Sequence, residues 1–322
     1  MSTGGVTRAA VLGAGSWGTT VAALLAPVVP TVLWSRRPDV AADVAAGRGN
    51  RRYLDGYDLP TELDATDDLA TAVDGADVLV VGVPTHGFRA ALEAVVPDLG
   101  DGVPVISLAK GFEQGTRLRM TEVAADVLPG HPAGVLTGPN LAREIMSGQA
   151  AASVLSMEDE IVVRALHPLF HSGLFRVYTN TDLLGCELGG VLKNIIAIAV
   201  GMGDGLGAGD NTRAGLMTRG LAEITRLGVA MGGRPETFAG LTGMGDLIAT
   251  CTSPLSRNRH VGVELGKGRH IDAIIADMHM VAEGVKSAPT VMALADRHGI
   301  AMPIARDVFD VTQGKRTAQD VF

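Results

Sequence analysis

The chain has 322 residues, of which 47% are hydrophobic and 19% charged, and its formal net charge is -8. This balance excludes intrinsic disorder, and the acidic net charge argues against nucleic acid as a partner. The two cysteines have no paired spacing, which excludes a disulfide framework. The N-terminus lacks the pattern of a signal peptide, and no uninterrupted apolar run reaches about 18 residues. We therefore expect a soluble cytoplasmic protein with no membrane insertion.

Short apolar runs alternate with helical periodicity through the first half of the chain. They predict strands at 8–12, 31–34, 77–83, 103–108, 134–137, 151–155 and 174–178. This alternation is typical of an α/β protein with a Rossmann-type, doubly wound sheet. Beyond about residue 180 the patterns predict helices alone, at 182–200, 214–231, 257–265, 283–297 and 303–311. We predict a dinucleotide-binding Rossmann domain over 1–180 and a C-terminal all-helical substrate and catalytic domain over 181–322.

A glycine-rich turn follows the first predicted strand and opens the first predicted helix. Gly13, Gly15 and Gly18 fit the pattern G-x-G-x-x-G. The first glycine permits a tight turn, the second lets the backbone approach a pyrophosphate, and the third lets helix pack on strand. The N–H groups at the start of the helix then face the phosphates. The position after a strand and before a helix is the context that this pattern requires.

The end of the second predicted strand indicates which nicotinamide cofactor the turn binds. NAD-selective domains carry an acidic residue there, about 20 positions after the turn. This chain has Arg36 and Arg37 instead, and Asp39 falls within the next predicted helix. Two guanidinium groups suit a ribose 2′-phosphate, which favours NADPH over NADH. The alternative is that both arginines are merely solvated.

Lys193 lies in a predicted helix that is apolar almost all round, so the helix is expected to be buried. A buried lysine is rare and energetically costly. Its neighbours on the helix surface include Gly189, Gly190 and Ala197, which leave room for a pocket beside the ammonium. Such a lysine can donate a proton to a carbonyl oxygen as hydride arrives at the carbon. The alternative is a lysine that reaches the surface or pairs with Glu187.

Further candidates follow two other predicted strands or open predicted helices. Lys110 follows the strand at 103–108, at the edge of the sheet where ligands bind. Gly138 and Asn140 follow the strand at 134–137 and open a helix. Asp246 adds a carboxylate beside a glycine-rich, close-approach backbone, although it fits equally well as a first-turn helix residue.

One predicted helix start has the composition of a phosphate site. Ser256, Arg257 and Asn258 combine a hydroxyl, a guanidinium and an amide with free backbone N–H groups. His167 and His171 are four residues apart, as metal ligands can be, but no third ligand is evident. We predict no metal site.

These segments together resemble bacterial-type NAD(P)-dependent glycerol-3-phosphate dehydrogenase nearly from end to end. The motifs that carry the resemblance are Gly13-Ala14-Gly15-Ser16-Trp17-Gly18, Lys110-Gly111-Phe112-Glu113, Gly138-Pro139, Glu187-Leu188-Gly189-Gly190-Val191-Leu192-Lys193-Asn194, Gly209-Asp210-Asn211-Thr212, Gly243-Met244-Gly245-Asp246, Ser256-Arg257-Asn258 and Glu283-Gly284-Val285.

The resemblance implies a role for each matching position. Lys193 would be the catalytic proton acceptor, and Lys110 would touch both cofactor and substrate. The implied substrate positions are Lys110, Gly138, Asn140, Lys193, Asp246, Ser256, Arg257 and Asn258. The implied cofactor positions, besides the glycines and Lys110, are Ser16, Trp17, Arg36, Arg37, Ala142, Arg257, Val281 and Glu283.

The implied reaction interconverts dihydroxyacetone phosphate and sn-glycerol 3-phosphate with NADPH or NADH and supplies phospholipid synthesis. The resemblance also implies a homodimer. One alternative is a related hydroxy-acid dehydrogenase, against which the phosphate-site residues argue. Another is a non-catalytic, NADP-sensing Rossmann protein, against which the presence of Lys193 and Asp246 argues.

Overall fold

A computed structural model describes residues 5–278 and 282–322. The described chain divides into two compact units. Residues up to Ala109 and residues Glu113–Leu183 form the first, whereas Leu184–Phe322 and the short segment Lys110–Phe112 form the second.

One eight-stranded sheet with helices between its strands makes up the first unit. The strands are β1 Ala9–Leu12, β2 Thr31–Trp34, β3 Leu63–Thr66, β4 Val78–Val81, β5 Val105–Ser107, β6 Ala133–Thr137, β7 Ala151–Met157 and β8 Phe175–Asn180. Their order in space is β3-β2-β1-β4-β5-β6-β7-β8. All neighbouring strands are parallel except β6 and β7. The predicted Rossmann-type sheet is confirmed.

The helices of the first unit cover a sheet whose central strands are fully apolar. They are α1 Ser16–Leu25, α2 Pro38–Ala45, α3 Leu69–Val73, α4 Thr85–Val95, α5 Met120–Val127, α6 Ala142–Met146 and α7 Glu160–Phe170. All four residues of β4 are buried, as expected when helices cover both faces of a parallel sheet. The strands β1, β2 and β3 follow one another towards one edge of the sheet, and β4 and β5 continue from the other side of β1 towards the opposite edge. The order of the strands therefore reverses between β1 and β4. Ligands of open α/β sheets bind at such a switch point.

Within its described residues, the segment Leu184–Phe322 of the second unit consists of helices and the turns that join them. Its helices are α8 Leu183–Gly205, α9 Asp210–Ala230, α10 Pro235–Ala239, α11 Asp246–Thr252, α12 Arg257–Gly266, α13 Ile271–Asp277, α14 Glu283–His298, α15 Pro303–Thr312 and α16 Ala318–Val321, with a π-helical turn at Leu241–Gly245 before α11. The helical C-terminal unit that the sequence predicts is confirmed.

Helix α8 is the centre of the second unit. Among the described residues, α8 is the one helix that is long and apolar enough to cross a membrane, but 94% of its most apolar stretch is buried inside the protein. Its residues join one hydrophobic core with those of the surrounding helices, and Phe112 packs in the same core. Burial of this kind accounts for the apolar composition, so membrane insertion is not indicated.

One contact joins α12 to α8, and another joins α15 to α9. The backbones of α8 and α12 touch: a Cβ built on Gly262 would lie 2.1 Å from the carbonyl oxygen of Ile198, and one on Gly201 would lie 2.2 Å from that of Arg259. Separately, the buried carboxylate of Glu223 on α9 accepts the backbone N–H groups at the start of α15, at 2.9 and 3.2 Å. A carboxylate at that end of a helix satisfies otherwise unpaired N–H groups.

Candidate active site

The glycine turn lies at the switch point of the first unit, between β1 and α1. Gly13 has φ +105°, and a Cβ on it would lie 2.9 Å from the carbonyl carbon of Gly82, which follows β4. A Cβ on Gly18 would lie 2.0 Å from the carbonyl oxygen of Gly13. A Cβ on Gly15 would meet nothing within 4 Å, so the backbone there is open to a ligand. The three glycines therefore fit a dinucleotide pyrophosphate in the manner that the motif predicts.

A loop after α2 supports this turn through hydrogen bonds that were not predicted from the sequence. The buried amide of Asn50 donates to the carbonyl oxygen of Ala14 at 2.9 Å and to the hydroxyl of Thr19 at 2.8 Å. The Ser16 hydroxyl donates to the carbonyl oxygen of Tyr53 at 2.9 Å. A glycine turn has no side chains to fix its own shape, and these bonds supply that support.

The predicted determinants of cofactor choice lie beyond the end of β2. Arg36 and Arg37 are both exposed, and Asp39 lies in the first turn of α2. Arg37 forms an ion pair with Asp39 at 3.1 Å, and this hydrogen-bonded carboxylate raises the pKa of Arg37. An exposed pair of this kind contributes little to stability, so both guanidinium groups can be recruited by an anionic ligand.

The remaining predicted residues of the first unit lie on α1 and near the end of β6. Trp17 packs edge-on against Phe175, with ring centroids 6.1 Å apart. Gly138 has φ +145° directly after β6, and Asn140 donates to the Ser153 hydroxyl at 3.0 Å. Ala142 begins α6.

Three charged groups meet in the second unit. The Lys193 ammonium donates to Asp246 Oδ1 at 2.8 Å and to the Thr250 hydroxyl at 2.5 Å. The Lys110 ammonium donates to Asp246 Oδ2 at 2.5 Å. Lys193 is 5% exposed and Asp246 2% exposed. One carboxylate thus holds two ammonium groups, and the cluster Lys110–Asp246–Lys193 has one positive charge in excess when all three are ionised.

Burial and the neighbouring charges set the ionisation of this cluster. Burial lowers the pKa of Lys193 to about 8, with the Lys110 cation acting in the same direction and Asp246 opposing both. The two ammonium groups hold the pKa of Asp246 below its usual value even though burial acts to raise it. A lysine that titrates near neutral pH can exchange a proton with a substrate oxygen, which a lysine of ordinary pKa does poorly.

Small residues allow the lysine and the carboxylate to approach. A Cβ on Gly189, four residues before Lys193, would lie 2.6 Å from the carbonyl oxygen of Thr242. A Cβ on Gly243 would lie 2.0 Å from the carbonyl oxygen of Phe238. The backbone of the π-helical turn Leu241–Gly245 therefore packs against α8 at Gly189 and against α10 at Phe238, and Asp246 begins α11 immediately after the turn. Turns of this rare type recur at functional sites.

The start of α12 is joined to α8 by an amide pair. The Asn258 amide donates to the Asn194 side-chain oxygen at 2.9 Å, and its own oxygen accepts the N–H of Gly284 at 3.0 Å. The Ser256 hydroxyl caps α12 by accepting the N–H of Arg259 at 3.2 Å. Asn194 is adjacent to Lys193, so this pair fixes the start of α12 relative to the helix that carries the lysine.

Arg257 follows the cap residue at the first position of α12. Its side chain is exposed, but protein atoms around the guanidinium lower its pKa, and the charge of Glu283 at the start of α14 opposes this effect. An accessible guanidinium at a helix N-terminus suits a phosphate dianion.

The structure thus brings Lys110, Lys193 and Asp246 into direct contact and joins Asn258 to Asn194. Gly138 and Asn140 belong to the first unit, and Val281 lies outside the described residues. Thr250 was not predicted as a site residue, although it lies four residues after Asp246, the spacing of neighbours on one helix face. Among the described residues no group of three or more His, Cys, Asp or Glu could hold a metal.

Comparison with known proteins identifies the family. Residues 8–163 match the model of the N-terminal domain of NAD-dependent glycerol-3-phosphate dehydrogenase, and residues 182–322 match that of its C-terminal domain. A glycerol-3-phosphate dehydrogenase [NAD(P)+] 2 of Sphingopyxis alaskensis is 77% identical over 98% of this chain and 95% of its own length. A glycerol-3-phosphate dehydrogenase [NAD(P)+] of Mycobacterium avium is 53% identical over 98% of this chain and 93% of its own length.

A solved structure agrees with these sequence comparisons. The crystal structure of glycerol-3-phosphate dehydrogenase from Coxiella burnetii superimposes with a TM-score of 0.93 at 36% identity, covering 98% of this chain and 97% of that one. The chain belongs to the NAD-dependent glycerol-3-phosphate dehydrogenase family.

Proposed function

We propose that this protein interconverts dihydroxyacetone phosphate and sn-glycerol 3-phosphate, with NADPH or NADH as the hydride carrier. The observation that carries the proposal is the contact of two lysines with one buried carboxylate in the Lys110–Asp246–Lys193 cluster. A site of this kind stabilises the negative charge that develops on a ketone oxygen during reduction. The first unit would be the dinucleotide-binding domain and the second the substrate and catalytic domain.

The cofactor, when bound at the glycine turn, supplies the hydride. The open face of Gly15 and the start of α1 hold its pyrophosphate, with Ser16, Trp17 and Gly18 beside it. Arg36 and Arg37 bind a ribose 2′-phosphate, which gives the protein a preference for NADPH. We assign Lys110, Ala142, Arg257, Val281 and Glu283 to the cofactor as well, on the family resemblance.

Lys193 is the proton donor in reduction and the proton acceptor in oxidation. Its pKa of about 8 leaves both forms populated near neutral pH. Asp246 and Thr250 hold the ammonium in place through two short hydrogen bonds. Lys110 adds a second positive charge at the carboxylate, and this charge favours the alkoxide that the ketone becomes.

The start of α12 binds the substrate phosphate. The first-turn N–H groups, the Arg257 guanidinium and the Asn258 amide provide donors, and the positive end of the helix dipole favours the dianion. We assign Ser256 to the same subsite, because its hydroxyl caps the helix. Gly138 and Asn140 complete the proposed substrate residues of the first unit.

The biological setting follows from this reaction. Glycerol 3-phosphate provides the backbone of phospholipids, so the protein would supply phospholipid synthesis with glycerol 3-phosphate made in the cytoplasm. A homodimer is the expected assembly, on the family resemblance.

A substrate comparison tests the proposal. NADPH oxidation is followed with dihydroxyacetone phosphate, with dihydroxyacetone and with a 2-keto acid, and each is repeated with NADH. We expect rapid turnover with the phosphorylated ketone, at least about a hundredfold lower kcat/KM with the other two, and a preference for NADPH. Turnover of the keto acid alone would identify a hydroxy-acid dehydrogenase. Cofactor binding without turnover of any substrate would identify a cofactor-sensing protein.

A further inference from the structure

Asp204 is a buried carboxylate that has no part in the proposed chemistry. It lies near the end of α8, and 8% of its side chain is exposed. Two arginines surround it. Arg259 of α12 donates to Oδ2 from Nε at 2.8 Å, and its Nη2 forms an ion pair with the same oxygen at 2.7 Å. Arg213 of α9 donates to Oδ1 from Nε at 3.1 Å and from Nη2 at 2.8 Å. One carboxylate therefore ties three helices together.

The arginine on α12 belongs to the first turn of the phosphate-binding helix. Arg259 lies two residues after Arg257, and its backbone N–H is the one that the Ser256 cap accepts. The side chain and the backbone of the same residue are thus both fixed. Because a helix is rigid over one turn, holding Arg259 also sets the direction in which the preceding two residues point.

The backbone contact between α8 and α12 fixes the distance between the two helices. It does not prevent α12 from rotating about its axis or sliding along α8. The contact at Gly201 and Gly262 is repeated one turn later, where a Cβ on Gly266 would lie 2.4 Å from the carbonyl oxygen of Met202. Glycine contacts of this kind set the distance between helices but provide no side chains that interlock. Besides the Asn258–Asn194 amide pair, the hydrogen bond that Arg259 Nε donates to Asp204 and the Nη2 ion pair provide a directional restraint close to the start of α12.

We propose that Asp204 is a positioning residue that determines how tightly the substrate phosphate binds. It acts through Arg259 on the start of α12 and does not touch the substrate. The inference rests on the proposed function, since it takes the start of α12 to be the phosphate subsite. It predicts that loss of the carboxylate weakens the binding of phosphorylated ligands and leaves the carbonyl chemistry unchanged.

The test compares a phosphorylated ketone with an unphosphorylated one. For Asp204→Asn, we expect the KM for dihydroxyacetone phosphate and the inhibition constant of inorganic phosphate to rise about tenfold, because a charge-assisted hydrogen-bond network is lost. The kcat with dihydroxyacetone phosphate and the kcat/KM with dihydroxyacetone should each change by less than about twofold. An equal loss with both ketones would overturn the proposal, because it would indicate general damage to the second unit.

The matched control lies on the same helix. Glu264 forms ion pairs with Lys267 and Arg269 near the other end of α12, and these partners lower its pKa to about 2. Glu264→Gln also removes a carboxylate with two cationic partners, but it should leave both the KM and the phosphate inhibition constant unchanged. A rise in KM equal to that of Asp204→Asn would overturn the assignment of the effect to the start of the helix.

A second variant covers the case in which Asp204→Asn does not fold. Arg259→Lys keeps the charge but loses the planar pair of donors, so we expect the same direction of change with a smaller size. A lower KM in either variant would mean that Asp204 repels the phosphate, and this would refute the proposal.

The failure of the proposed function would be recognised separately. Calorimetric titration of the wild-type protein with inorganic phosphate measures the subsite without turnover. If the wild type does not turn over dihydroxyacetone phosphate, the function is wrong, whereas weaker phosphate binding in the variants would still support the role of Asp204. Equal phosphate affinity in wild type and variants would overturn that role.

Discussion

Replacement of Lys193 by methionine tests the proton-transfer step directly. Methionine fills a similar volume without the ammonium, and Asp246 keeps Lys110 as a cationic partner, so we expect the variant to fold. Loss of a positioned proton donor costs about 10²- to 10⁴-fold in turnover. The fall of the Lys193 pKa from 10.5 to about 8 corresponds to about 3 kcal/mol against the charged form. The wild-type rates should therefore depend on pH in opposite ways in the two directions.

The direction of each pH profile follows from which form of Lys193 reacts. Ketone reduction needs the protonated amine, so its rate should be level below pH 8 and fall about tenfold per pH unit above it. Alcohol oxidation needs the neutral amine, so its rate should rise about tenfold per pH unit up to about pH 8 and then level off. Initial rates in both directions, measured with saturating cofactor between pH 6 and 10, give the two profiles.

Two results would refute this reasoning. One is a Lys193→Met variant whose turnover stays within about tenfold of the wild type. The other is an oxidation rate that shows no transition within about one pH unit of 8. Lys267→Met is the control, because Lys267 is an exposed lysine of the same unit that pairs with Glu264. It should retain wild-type rates and both profiles.

Three further predictions concern the turn, cofactor choice and stability. Gly18→Ala places a methyl group 2.0 Å from a backbone oxygen, so it should lower the melting temperature and abolish NADPH binding. The methyl group of Gly15→Ala meets open space, so this variant should fold normally but bind NADPH more weakly. Thermal melts and fluorescence titration measure these effects. Replacing Arg36 and Arg37 together by alanine should raise the KM for NADPH about tenfold and change that for NADH less than about twofold in steady-state assays. Glu223→Ala should lower the free energy of unfolding in urea by roughly 1–3 kcal/mol, because it leaves two N–H groups at the start of α15 without their acceptor.

Each of these has its own control or contrary outcome. Equal melting temperatures for the two glycine variants would contradict the contact at Gly18. A loss of NADH binding as large as that of NADPH would show that Arg36 and Arg37 do not read the 2′-phosphate. Glu236→Ala removes an exposed carboxylate in the first turn of α10, which contributes at most about 1 kcal/mol, so it should lower the unfolding free energy less than Glu223→Ala does.

Hydrophobic patterning predicted most of the fold because most elements bury a continuous apolar run. Strand β2 has the predicted bounds, and β4 lies within the predicted run. Strand β3 was missed, since Leu63–Thr66 has one buried residue in four and lies at the edge of the sheet. Neither does apolar patterning indicate strand direction, so the antiparallel pairing of β6 and β7 could not be foreseen.

The candidate site could be predicted where a polar residue interrupts a buried helix or follows a strand, as with Lys193 and Lys110. Thr250 and Asn50 gave no such signal. Thr250 acts through a helix face whose orientation depends on the π-helical turn before it, and a π-helical turn has no simple sequence pattern. Asn50 lies in a loop, and its partners are backbone and side-chain atoms more than thirty positions away along the chain.

The backbone contact between α8 and α12 has a consequence for how the sequence can change over time. Where helices pack through side chains, each substitution in the core moves the helices and so moves any group they carry. Here main chain meets main chain at Gly201 and Gly262, so the spacing between the helix of Lys193 and the helix of Arg257 is independent of the side chains around it. Substitutions in the surrounding core can therefore leave the spacing of these two helices unchanged, whereas a side chain at either glycine would push the helices apart.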